Sequence, residues 1–233
     1  MSTVSKSFPQ ESVPAPSIPL SEQDVVGRSA LGIWLQIAFA YGLLEAALWT
    51  PPGRLDLAWM ILTAAFILVM AFRGPYSARE MGVTFPTGKA TIWIVGAGLI
   101  LAATLWSFAA LTGADAAPTH AMPLRTTWQY AVWAFLQQFM LQSFFFVRLE
   151  SLLGSRRAVL ATTILFAAAH IPNPILTIGS ALAGFFFCEM FRRYRNIFPL
   201  GVVHVILGLA MAASVSDALL HHMRVGIGFV QFH

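Results

Sequence analysis

The chain has little charge. Asp, Glu, Lys and Arg make up 10% of its 233 residues, against about 25% in an ordinary soluble domain. Together with 58% hydrophobic residues and a mean hydropathy of +0.72, that scarcity excludes a soluble globular class. Cysteine is limited to Cys188, so no intramolecular disulfide can form, and its apolar surroundings predict a small core residue. An apolar stretch that export machinery would recognise is missing from the first 28 residues, and no cleavable signal peptide is expected. That segment is polar and rich in proline and serine ("SKSFPQESVPAPSIPLSEQD"), so residues 1–28 read as a disordered cytoplasmic tail, a spacer. The net charge is +4, but the basic residues stand at the ends of apolar runs, so nucleic acid is not an expected partner.

What the chain does have is long apolar runs. Seven are apparent, at about 30–50, 55–72, 90–112, 127–149, 157–171, 174–191 and 197–213. Lipid offers nothing to an unpaired backbone group, so each run must be helical. The fold class is therefore all-α: a multi-pass helical bundle over 29–213 with the lipid bilayer as its first partner. Residues 214–233 form a tail or a short extra helix, an eighth. The fifth and sixth runs are short and meet at "HIPNP", where Pro172 and Pro174 are expected to break the helix.

Basic residues orient the bundle. Lys6, Arg28, Arg73, Arg79, Lys89, Arg148, Arg156, Arg157, Arg192, Arg193 and Arg195 fall on one side, eleven in all, against three (Arg54, Arg125 and Arg224) on the other. That bias predicts a cytoplasmic N-terminus and an outer C-terminus, in a bacterial plasma membrane.

Polar groups inside such runs need a reason, because facing lipid costs each of them free energy. Glu45, Gln137, Gln138, Gln142, His170, Glu189 and His204 are the set. Gln138 and Gln142 are four apart and share a helical face, with Gln137 beside them. Amides of this kind can simply bond neighbouring helices. His170 ("FAAAHIPNP", with Asn173 nearby as a supporting polar group) and His204 ("FPLGVVHVILG") turn the cluster into a candidate polar pocket. Glu189 is three residues before Arg192, and Glu150 is beside Arg148; both read as interfacial pairs. Glu45 lies near the outer end of its run and either reaches water or supplies a carboxylate to the pocket. His221 and His222 read as solvated tail residues.

The order "QQFMLQS", "FAAAH", "HVILG" on successive apolar helices resembles the CPBP family of intramembrane proteases, which includes the type II CAAX prenyl endopeptidases and bacteriocin-processing and immunity proteins. The resemblance covers roughly 127–210, with a weaker echo in "AREMGVTFPTG" at 78–88. The family's motifs are Glu-Glu-x-x-x-Arg-Gly, Phe-x-x-x-His and His-x-x-x-Asn. Phe166 and His170 match the second. His204 opens the third, with Gly208 in place of Asn. In the first, Gln137 and Gln138 replace the glutamates, Gln142 the arginine and Ser143 the glycine. The resemblance implies that His170 helps activate a water and that His204 donates to the oxyanion, with the two amides in the carboxylate positions.

Glutamine has no basic oxygen, and losing a general base costs about 10² to 10⁴-fold in rate. Two functions follow. One is an intramembrane endopeptidase of CAAX or leader-peptide type with a degenerate motif, using His170 or Glu45 as base. The other is an inactive protein of the same fold that holds a hydrophobic or prenylated peptide or partner, in an immunity or chaperone-like role. No cofactor is expected: a metal would have only His170 and His204 as ligands.

Overall fold

A computed structural model of the chain describes residues 30–85, 88–113 and 124–231. The predicted tail, 1–28, lies outside them. Every regular element among the described residues is helical. Helices α1 (Ala30–Trp49) and α2 (Arg54–Arg73) pair as a hairpin, and α3 (Gly88–Thr112) follows. A long central rod comes next: α4 (Leu124–Gln138), a π-helical stretch (Phe139–Phe146) and α5 (Val147–Leu153). Beyond Gly154 run α6 (Ser155–Ala168), α7 (Pro174–Tyr194) and α8 (Ile197–Ser214). Two short helices, α9 (Asp217–Leu220) and α10 (Gly226–Val230), end the described chain.

Among the described residues six helices are long and apolar enough to cross a membrane: α1, α2, α3, the central rod, α7 and α8. The remaining apolar run forms α6, which has 14 residues. At 1.5 Å per residue it spans roughly 21 Å, short of a hydrocarbon core about 30 Å thick. His170 therefore follows a helix too short to cross. The sixth run is longer than the sequence suggested, because Pro174 starts α7 instead of breaking it, and α7 has 21 residues. A proline in the first turn forfeits no hydrogen bond, and the Asn173 side chain accepts from Leu176 N–H at 3.1 Å to cap that turn.

The rod is the axis of the bundle. Residues 141–149 are all buried, so this stretch has no lipid-facing stripe. Its backbone widens where Val147 N–H bonds to Gln142 O, five residues back. Small residues let the neighbouring helices close in. A Cβ on Gly98 would meet Val203 at 2.6 Å, and one on Gly201 would overlap the Phe135 ring.

Arg148 is not the loop cation that the sequence suggested. It is 1% exposed, its guanidinium 3.8 Å from the Phe144 ring centroid and 5.2 Å from that of Tyr76. It donates to Gln36 Oε1 at 3.0 Å, Met70 O at 2.7 Å and Phe144 O at 3.3 Å, tying α1 and α2 to the rod. A guanidinium tolerates this position because its planar fork can meet several oxygens while its faces lie on aromatic rings.

Polar contacts assign the loops to two ends. At one, Arg195 pairs with Glu150, Tyr76 Oη lies 3.2 Å from Ser151 Oγ, and Ile197 N–H donates to Gly82 O at 3.0 Å. Glu189 binds Arg192 and Arg193 near the same end. The clusters around Arg73, Arg79, Arg156 and Arg192 gather there. At the other end, Gly226 N–H donates to Ile171 O at 3.0 Å, and Asn173 Nδ2 to Leu220 O at 2.9 Å.

Replacing Arg148 by Leu removes bonds from a charged donor and leaves buried oxygens behind, a cost of about 3 kcal/mol. Thermal unfolding in detergent is expected to show a clearly lowered midpoint; an unchanged midpoint would refute the tie.

Candidate active site

A cavity of about 380 Å³ lies toward the end opposite the basic clusters, within the size range of ligand pockets. Helices α1, α4, α6, α7 and α8 and the segment after α9 line it. No Asp, Glu, Lys or Arg is among the described residues of its wall.

His170 stands where α6 gives way to the turn before α7, and it lines the cavity. Its Nδ1 is 2.7 Å from Phe166 O. A carbonyl can only accept, so Nδ1 carries the proton, and in the neutral ring Nε2 keeps its lone pair. His204, buried on α8, also lines the cavity. Its Nδ1 is 3.1 Å from Gln138 Nε2. An amide nitrogen can only donate, so here Nδ1 accepts and Nε2 carries the proton. Phe166 stands edge-on to both imidazoles, with ring centroids 4.9 Å from His170 and 5.9 Å from His204. One cavity thus holds an acceptor imidazole and a donor imidazole, each set by the partner of its other nitrogen.

The three glutamines separate. Only Gln137 faces the cavity. Gln138, fully buried, reaches it through His204. Gln142 points instead to Cys188, with Nε2 3.7 Å from Sγ. Gln138 and Gln142, four residues apart, thus meet two different helices, α8 and α7. Both amide oxygens, and Thr162 Oγ1, are buried without a hydrogen-bond partner among the described residues. Ser143 serves packing, donating to Met81 O at 2.6 Å.

Other candidates take different places. Glu45 accepts from Trp49 Nε1 at 3.1 Å and is not among the residues that line the cavity; from α1 the wall takes Tyr41, Leu44 and Leu48. Asn173 is fully buried and structural, capping α7 and holding the backbone of Leu220 and Arg224. Gly208 lines the cavity one turn beyond His204. Among the described residues no three His, Cys, Asp or Glu side chains come together as a metal site.

Sequence reasoning missed Tyr130 and Trp133. Tyr130, Trp133 and Gln137 line the cavity at spacings of three and seven, the signature of one helical face, so the signal was available. His222 was expected in solvent and is exposed, its Nδ1 3.0 Å from Asp217 Oδ2, while it also touches the rim of the cavity.

Nitrogen-15 NMR of histidine-labelled protein is expected to show His170 protonated at Nδ1 and His204 at Nε2. The variant Gln138→Leu should disturb His204 alone. Identical tautomers at the two rings would contradict this arrangement.

Residues 119–210 match the family model described as "Type II CAAX prenyl endopeptidase Rce1-like". No curated protein and no solved structure matches the chain. The matched segment carries Gln137, His170 and His204 of the cavity wall. The match covers the segment that carries most of this site, and there the chain resembles the Rce1-like type II CAAX prenyl endopeptidases.

Proposed function

We propose that the protein is an intramembrane endopeptidase that hydrolyses apolar or prenylated peptide segments in a neutral site. The observation that carries the reading is the complementary protonation of His170 and His204 on one cavity wall. A water held at His170 attacks the scissile carbonyl carbon while Nε2 takes its proton. The carbonyl oxygen becomes an oxyanion beside His204 Nε2–H, which was polarised before the reaction began. Collapse of the tetrahedral intermediate breaks the C–N bond. His170 returns the proton to the leaving amine, giving a carboxylic acid end and an amine end.

Gln138 acts as a positioning residue, since its bond to Nδ1 selects the donor form of His204. Gln137 reaches the substrate space as a hydrogen-bonding group without charge. The site is consequently slow: an imidazole working without a carboxylate is expected to lose about 10² to 10⁴ in rate against a carboxylate base. A second reading, a protein that holds such peptides without cutting them, is favoured by the absence of Asp and Glu among the described wall residues.

Orientation is part of the proposal. With Arg148 removed from the loops, the bias is ten basic residues to three, and it still puts the N-terminus inside. The cavity then opens in the outer half of the membrane, and its substrates arrive from the lipid or the outer face.

In liposomes, His170→Ala should abolish cleavage; an unchanged rate would sink the proposal. Gln137→Glu, which restores a base on the wall, should raise the rate by about 10² to 10⁴-fold. In a Cys188→Ala background, Leu219→Cys should react with an impermeant maleimide added outside intact cells. Arg79→Cys should react only after permeabilisation, and the opposite pattern would invert the topology.

A further inference from the structure

Gly208 and His204 are one turn apart on α8, share a face and line the cavity. A Cβ built on Gly208 would overlap the hydroxyl and Cζ of Tyr130, which comes from α4. Glycine is the residue that leaves this space open, and the tyrosine hydroxyl fills it. The Tyr130 ring stands edge-on to His204, centroids 6.5 Å apart and planes at 84°. Tyr130 is itself part of the wall, and its hydroxyl has no hydrogen-bond partner among the described residues. A phenol O–H in a largely apolar cavity normally finds a partner. Here that partner has to come from whatever enters.

We propose that Tyr130 is a second donor of the site, with its hydroxyl beside His204 Nε2–H binding the carbonyl oxygen of a peptide seated in the cavity. This rests on the reading of the cavity as a peptide site and adds the residue that reads the backbone there. The donor is delivered across the bundle from α4, into the space that a side chain at position 208 would take. When the carbonyl oxygen gains charge, the same O–H stabilises it more strongly than the neutral carbonyl, so the contact acts on the chemical step as well as on binding. Gly208 has a defined part: any side chain there would push the hydroxyl away from His204.

The test uses full-length protein in nanodiscs and a Lys-flanked Leu/Ala peptide carrying one ¹³C=¹⁸O carbonyl, with the label moved along the peptide. In infrared spectra of the bound peptide, one labelled position should absorb at lower frequency than in lipid alone. Tyr130→Phe should return that band to its lipid value with binding weakened no more than about tenfold. Where cleavage is measured, the same variant should lower kcat by about 10² to 10³ with little change in KM. Gly208→Ala, which keeps the hydroxyl but displaces it, should reproduce both effects, whereas a tyrosine that only packs would leave the band and kcat unmoved. An unshifted band in Tyr130→Phe overturns the assignment. Peptide that binds with the shifted band and is never cut removes the endopeptidase reading and leaves Tyr130 as a binding donor. Peptide that does not bind at all removes both.

Discussion

A polar side chain inside a bilayer has to find its partner within the protein, and this constraint organises the bundle around its central rod. The rod carries Gln137, Gln138, Gln142, Ser143 and Arg148 within twelve residues, more polarity than a lipid-facing helix could bear. Burying residues 141–149 on all sides puts their polar groups within reach of the surrounding helices. Arg148 binds α1 and α2, Gln142 meets α7, and Gln138 meets α8. Three of these four helices, α1, α7 and α8, also enclose the cavity, so satisfying the rod and building the site share much of their packing.

The chemistry of the cavity follows from the same economy of charge. A carboxylate beside the histidines would be a strong base but would bring a charge into the membrane interior, at a high desolvation cost unless paired. Amides keep a similar shape and the hydrogen bonds without that charge. The amide of Gln138 bonds Nδ1 of His204, and in the proposed mechanism this keeps the oxyanion side of the site while the basic side rests on His170 alone. An active site of this kind keeps its geometry and loses driving force for proton transfer.

The helices were legible because lipid forces any long apolar run into one form, and the two histidines were legible because polarity inside such a run is costly. What escaped were features that exist only between helices or below the resolution of periodicity. Arg148 reads as a helix-end cation because it lies six residues before the Gly-Ser-Arg-Arg stretch at 154–157; only the packed bundle shows Gln36 and Met70 waiting for it. The π-helical turn leaves no mark in the residue pattern, and the spacing of Gln138 and Gln142 does not show that one meets α8 and the other α7. The exchange between Gly208 and Tyr130 is a collision between distant helices, invisible in a spacing that simply shows a missing asparagine. That His222 also edges the cavity escaped because the short elements after α8 carry no apolar period to say where the chain turns.

The most direct measurement is hydrolysis of an apolar peptide by the reconstituted protein in ¹⁸O-labelled water, followed by mass spectrometry of the products. The account predicts slow cleavage at a defined bond, with a single ¹⁸O in the new carboxylate. Bound peptide that stays intact with folded protein through long incubation would contradict it, and would make this site a place where a peptide is held and not cut.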